Sequence, residues 1–152
     1  MKNRLQEVSE KDKDLLFKWA NDKMCRKNSF HPHEISYDEH CEWFDKKMSD
    51  PMCYMFLYYC DDEPIGQIRI DCDSGVGCVS YFIEAEYRGQ GHGTNIIQLV
   101  EKEMQGKLKK IVSYVKHDNT ASRHVFINNN YKEKIEDKAA KYEKIINGYG
   151  ID

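Results

Sequence analysis

Apolar and polar residues change their spacing several times along the chain, and each change marks an element. Leu5 and Val8 bound a short apolar stretch that predicts a first strand over 5–8. Ser9 then stands as an N-cap, and Leu15, Leu16, Trp19 and Ala20 recur at the spacing of one helix face. The polar, histidine-containing stretch 25–34 has no period and predicts a loop. Ser36-Tyr37-Asp38-Glu39 has the form of a capping box, in which Ser and Glu each accept the other's backbone N–H. The helix it opens carries His40, Phe44 and Met48 along one side with Trp43 beside them, and Pro51 closes it. Residues 52–60 are almost unbroken apolar and aromatic, as in a strand covered on both faces. A turn at 61–64 leads to alternation over 65–72, and a second turn at 73–77 leads to a strand over 78–83. A glycine-containing stretch, a helix over 94–105, an apolar strand over 110–115 and a helix from Thr120 follow. The charged segment 131–147 predicts one or two further strands. Two hairpins followed by strand, helix, strand, helix predict an α/β (α+β) fold with a mixed, mostly antiparallel sheet flanked by helices.

Composition narrows the setting. At 152 residues the chain predicts a single domain over 1–152, long enough for a real core. Its net charge of -3 comes from interspersed charges of both signs, so there is no basic stripe for nucleic acid. No run of about 18 apolar residues exists to span a membrane, and the first residues lack the apolar segment of a signal peptide. The six cysteines form no CxxC pair, and several fall among apolar neighbours in predicted strands and helices. They predict reduced thiols in a cytoplasmic protein, with no metal site.

The chemistry starts at Tyr87-Arg88-Gly89-Gln90-Gly91-His92-Gly93-Thr94, where a strand hands over to a helix. Glycines at alternate positions let the backbone curl and bring several N–H groups to one point. The following helix adds the unpaired N–H donors and partial positive charge of its N-terminus. Such a loop can hold a diphosphate without a metal. It is not a P-loop, because no Lys-Ser or Lys-Thr pair follows the glycines. Nor does it have the G-x-G-x-x-G spacing of a dinucleotide site. The spacing Arg88-x-x-Gly91-x-Gly93 resembles the acetyl-CoA signature of the GNAT family of N-acetyltransferases. Asn119-Thr120-Ala121-Ser122, after the apolar strand, resembles that family's second motif, with Phe126 and then Tyr131 beyond it.

This resemblance implies an acetyl-CoA-dependent N-acetyltransferase. The strand before the glycine loop would splay from its neighbour, and the pantetheine arm of acetyl-CoA would lie along the edge formed by Phe82, Ile83, Glu84 and Ala85. The Ile83 N–H would meet the thioester carbonyl and stabilise its developing oxyanion. Arg88, Gly89, Gly91, Gly93 and Thr94 would supply pyrophosphate donors. Asn119, Ser122 and Phe126 would flank the pantetheine from the next helix. Phe126 departs from the family, in which many members place a general-acid tyrosine there. No single general base stands out among His33, Glu34, His40, Ser80 and Tyr81.

The acceptor region, Trp19 to Phe44 with Arg69, resembles the acetyltransferases of nucleotide-linked 4-amino-4,6-dideoxy sugars in pseudaminic and related nonulosonic acid biosynthesis. That resemblance implies acceptor-binding roles for Arg26, Phe30, His40, Trp43, Arg69 and Tyr81, with Arg26, Lys27 and Arg69 toward the diphosphate and aromatics toward the base or sugar. Three alternatives stay open: a ribosomal-protein-type N-terminal acetyltransferase, an aminoglycoside-modifying enzyme, and a non-catalytic acetyl-CoA-binding module. A homodimer is also left open.

Overall fold

The structure, a computed structural model, describes residues 2–146. In chain order the elements are β1 (Asn3–Glu7), α1 (Lys13–Ala20), α2 (Lys23–Asn28), α3 (Tyr37–Ser49), β2 (Cys53–Cys60), β3 (Glu63–Asp73) and β4 (Val76–Ile83). They continue with α4 (His92–Glu103), β5 (Lys110–Val115), α5 (Thr120–Asn128), β6 (Lys132–Ile135) and β7 (Ala140–Ile145). The strands form one sheet in the order β1-β2-β3-β4-β5-β7-β6. Every neighbouring pair is antiparallel except β4 and β5, which run parallel. The predicted mixed sheet is therefore the one observed.

The unbroken apolar run of β2 becomes a strand covered on both faces. Phe56, Tyr58 and Cys60 enter a core with Ile96, Ile97 and Val100 of α4 and Phe126 of α5. Met55 and Leu57 enter the opposite core with Leu16 and Trp19 of α1 and Phe44 of α3. The period-2 alternation of a strand is what divides its side chains between these two layers.

Three expectations need adjustment. The stretch 25–34 is not all loop, because α2 occupies its start, capped by the Asp22 carboxylate accepting the Cys25 N–H at 3.1 Å. This helix buries no residue, so it left no apolar period to read. The first helix is entered through a 3-10 turn, Glu10–Asp12, with the Asp12 carboxylate accepting the Ser9 N–H at 2.9 Å. The segment after α5 supplies two strands, β6 and β7, while Asn147 of the predicted range lies outside the described residues.

The feature that positions the site is where β4 and β5 part. Their ladder holds only Val76–Lys110, Gly77–Ile111 and Cys78–Val112. Gly77 permits the close packing there, since a Cβ would come 2.7 Å from Ile70 and nearly against Leu108. The Ser113 hydroxyl then donates to the Val79 carbonyl at 3.0 Å, the first acceptor beyond the ladder. β5 stays paired with β7 as far as Val115–Ala140, so residues 79–83 of β4 face an open gap.

Opposite the end of β4 lies Gly66, paired with Ile83. A Cβ on Gly66 would overlap the Phe82 carbonyl oxygen, a backbone atom that cannot swing aside. Gly66→Ala should cost about 1–3 kcal/mol, as overpacking of a filled interior does. Urea unfolding should report this as a lower midpoint at unchanged slope.

Candidate active site

At the end of β4 the chain makes a 3-10 turn, Ala85–Tyr87, and enters the glycine loop. Gly89 and Gly91 adopt φ of 74° and 87°, left-handed values that side chains resist. A Cβ at either would meet nothing within 4 Å, so these glycines serve conformation and leave open space above the loop. Gly93 has a different reason to be glycine: a Cβ would stand 2.8 Å from Val125 and 3.3 Å from the Tyr81 hydroxyl. The first helical bond of α4 runs from the Asn95 N–H to the Gly91 carbonyl at 3.1 Å. The N–H groups of His92, Gly93 and Thr94 precede it and have no acceptor within the helix, the arrangement that receives an anion.

Arg88 acts through its side chain inside the protein. Its Nε donates to the Ile83 carbonyl at 2.8 Å and its Nη2 to Asp22 at 2.8 Å. The guanidinium also lies over the Phe82 ring, 5.3 Å from its centroid. Asp22 is both the cap of α2 and the partner of the glycine loop. Burial works to raise its carboxyl pKa, but hydrogen bonds from Arg88 and the Cys25 N–H, with the Arg88 charge, hold it below its ordinary 3.8. Nearby, the Trp19 indole N–H donates to Glu84 at 2.8 Å, a second tie between α1 and the end of β4.

The direction of the Ile83 N–H follows from the register. Gly66 pairs with Ile83, and the Glu84 N–H donates to the Ile65 carbonyl at 2.8 Å. Gly66–Ile83 is therefore a non-hydrogen-bonded pair, and the N–H of Ile83 points away from β3 into the gap. By the same alternation so does the N–H of Tyr81. Asn119 caps α5 by accepting the Ser122 N–H at 3.3 Å. The Ser122 hydroxyl lies 3.0 Å from the Tyr81 hydroxyl, which brings α5 to the gap. Two of the expected cofactor residues turn away from the gap. The Phe82 side chain packs on Trp19 at 5.5 Å, and by the same alternation its N–H points toward β3. The other is Phe126. At 1% exposure it is core, stacked on Tyr142 at 5.4 Å and edge-on to Tyr131 at 5.1 Å, and it offers a ligand no surface.

His92, given no role by the sequence, is buried at the first position of α4. Its Nδ1 lies 2.8 Å from the Tyr58 hydroxyl, which also accepts from the Asn95 amide at 3.0 Å. The network pins the start of α4 to β2. Tyr58 and His92 lie 34 positions apart, so no local pattern announces the pair.

The residues expected to bind acceptor do not all come together. The Arg26 guanidinium is spent on the carbonyls of Ala20 (2.6 Å), His31 (3.1 Å) and His33 (3.3 Å), holding the loop after α2. His40 is 2% exposed and its Nε2 lies 2.8 Å from the Lys13 carbonyl, a structural contact between α3 and α1. Arg26 is thus held by backbone carbonyls and His40 lies inside the protein. Arg69 bonds Asp71 at 2.9 Å and lies over Trp43, 5.4 Å from its centroid, while Lys47 completes the Asp71 cluster at 2.8 Å. His33 pairs with Glu39 at 3.4 Å, and Ser80 is exposed opposite Arg69. Phe30 is half exposed and lines a shallow cavity of about 580 Å³ with Tyr114, Glu136, Asp137, Lys138 and Ala139. Tyr114 follows Val112 on the same face of β5 just past the last β4–β5 pair, so the cavity adjoins the gap on the side away from α4 and α5. The sequence missed this wall because its parts lie on three separate segments.

A family model of the acetyltransferase (GNAT) domain matches residues 3–132. The chain belongs to this family. It is an acetyl-CoA-dependent N-acetyltransferase. A sequence search of curated proteins finds no match. Solved structures share the fold at low identity. A domain from Methanocaldococcus jannaschii superposes with TM-score 0.84 at 18% identity, covering 95% of this chain and 98% of its own. The spermidine N-acetyltransferase of Vibrio cholerae, in complex with CoA and spermine, gives 0.82 at 17%, covering 94% and 95%. The ribosomal L7/L12 α-N-protein acetyltransferase, bound to CoA in disulfide linkage with one of its cysteines, gives 0.82 at 17%, covering 94% and 93%. Among the described residues no helix is long and apolar enough to cross a membrane.

Two outcomes are expected for this acetyltransferase. Gly91→Glu places an anion in the open space above the loop and should weaken acetyl-CoA binding by calorimetry roughly a hundredfold or more, about 2.8 kcal/mol. Unchanged affinity in a folded variant would remove the loop from the site. The Asp22 carboxyl is lowered in the folded state, so its contribution to stability is complete above its ordinary value and is lost as pH falls through the lowered one. Urea unfolding of Asp22→Asn should therefore differ from wild type at neutral pH and converge with it in acid.

Proposed function

We propose that the acceptor is a primary amine on a small molecule docked in the cavity of Phe30 and Tyr114, with the donor thioester in the β4–β5 gap. The position of that cavity carries the reading, because it adjoins the gap on the side opposite α4 and α5. The amine nitrogen attacks the thioester carbonyl, the oxygen gains charge beside the Ile83 N–H, and the C–S bond breaks to release CoA. A neutral amine is required, and the open cavity lets water carry away its proton. The pyrophosphate of acetyl-CoA would meet the N–H groups of Gly89, Gly91, Gly93 and Thr94, and Asn119 would flank the pantetheine.

Two finer readings divide on the charges of the cavity. The first is the 4-amine of a UDP-linked 4-amino-4,6-dideoxy sugar, supported by the acceptor-region pattern and by two aromatic faces for a ring. With Arg26 and Arg69 engaged elsewhere, its diphosphate would rely on Lys138. The second is a polycationic amine, favoured by Glu136 and Asp137 on the same rim. It accords with the polyamine and aminoglycoside ligands of proteins that share the fold.

Mass spectrometry of the protein with acetyl-CoA and each candidate decides between them. One added acetyl group on the sugar nucleotide and none on spermidine supports the first reading; the reverse supports the second. In the second case Asp137→Asn should lower kcat/KM for spermidine roughly fivefold, the worth of about 1 kcal/mol for an exposed charged contact. No product from any small amine, with acetyl-CoA bound, would overturn the small-molecule acceptor.

A further inference from the structure

The leaving group is left without its usual partner in this chain. Breaking the C–S bond yields a thiolate whose parent thiol has a pKa of about 8.5, so at neutral pH a positioned proton donor speeds its departure. The α5 position to which the family resemblance assigns a general-acid tyrosine holds Phe126, which is buried and has no proton to give.

A phenol nonetheless stands beside that position, carried by the sheet. The Tyr81 ring meets Phe126 edge-on at 6.2 Å. Its hydroxyl is 3.0 Å from the Ser122 hydroxyl and 3.3 Å from the point a Cβ of Gly93 would occupy. It therefore lies between the first turns of α4 and α5, whose N-terminal ends both favour negative charge. Tyr81 precedes Ile83 by two residues on β4, so both present N–H groups to the gap. Its side chain packs with the core on the α4 and α5 face. The acceptor cavity opens on the other face, which separates the incoming amine from this hydroxyl.

We propose that the Tyr81 hydroxyl, held by Ser122, is the proton donor to the sulfur of CoA, taking over the task that Phe126 cannot perform. The proposal rests on the thioester lying in the β4–β5 gap. As the C–S bond breaks, its electron pair goes to sulfur and the Tyr81 O–H proton follows it. The Ser122 hydroxyl donates to the phenolate oxygen meanwhile. The proton lost by the attacking amine goes to water, and water returns one to Tyr81. The sum is acetyl-CoA and amine giving amide and CoA thiol. Burial raises the Tyr81 phenol above its ordinary 10, against a smaller opposite effect of Ser122, so the donor is charged with its proton throughout the neutral range.

The test needs no acceptor. Affinities for CoA and for desulfo-CoA, which lacks the thiol, are measured by calorimetry from pH 7 to 9 with wild type, Tyr81→Phe and Ser122→Ala. A hydrogen bond to sulfur lowers the bound thiol's pKa, so wild type should favour CoA over desulfo-CoA increasingly as pH rises, by roughly tenfold for one pKa unit. Tyr81→Phe should abolish that rise while binding desulfo-CoA as wild type does, and Ser122→Ala should reduce it. The same rise in Tyr81→Phe as in wild type would overturn the proposal. Failure of wild type to bind either ligand would instead overturn the cofactor groove itself. With an acceptor in hand, Tyr81→Phe should lower kcat roughly a hundredfold or more at constant KM for acetyl-CoA.

Discussion

A parallel ladder that stops after Cys78–Val112 is the constraint from which the rest of this architecture follows. A β-strand normally spends its N–H and C=O groups on neighbours, and a buried strand that does not is costly. Here β4 keeps its bonds to β3 along its full length while its other edge is released beyond Cys78. The seal at the branch point, Ser113 to the Val79 carbonyl, leaves the N–H groups of Tyr81 and Ile83 available for a ligand. The sheet is thus held together on both sides of the gap, by β3 on one and β7 on the other. It can stay open there without unravelling.

Around that opening the protein uses charged and polar side chains as struts. Arg88 reaches back to Ile83 and across to Asp22, Trp19 grips Glu84, and Tyr58 holds His92 and Asn95. Apart from the Arg88–Ile83 bond, each tie joins segments far apart in sequence, and all end within a few residues of the glycine loop. Exposed ion pairs contribute little stability, but partly buried ones with ideal donors fix geometry. The N–H groups of the loop are thereby held in place in advance, an arrangement that lowers the entropic cost of receiving an anion.

Much of this was legible in the sequence because it is local. Strand alternation, the Ser36–Glu39 capping box and the glycine spacing each act within one or two turns, and all appear where the pattern places them. The family motifs point to the gap for the same reason: Gly91 and Asn119 act through their own backbone or cap. What was not legible is long-range. The sequence assigns Arg26 to a phosphate because an arginine carries no mark of the carbonyls that will surround it. His40 on a helix face looked as available as Trp43, until its contact with the Lys13 carbonyl placed it inside. Position in the motif assigns Phe126 to the cofactor, and only its packing against Tyr131 and Tyr142 shows it to be core. The Tyr81–Ser122 contact joins residues 41 positions apart, beyond any periodicity.

The cysteines acquire a meaning once the product is considered. Each turnover liberates a free thiol within a protein that carries thiols of its own. Joining the two as a mixed disulfide takes an oxidant as well as a thiolate, so under oxidising conditions a protein cysteine is safe in proportion to how little of it is ionised. Burial pushes the thiols of Cys25, Cys72 and Cys78 upward, and burial with the Asp71 carboxylate pushes Cys53 up to about 12. Held protonated, these four thiols leave an oxidant little thiolate to join to the CoA that each turnover releases.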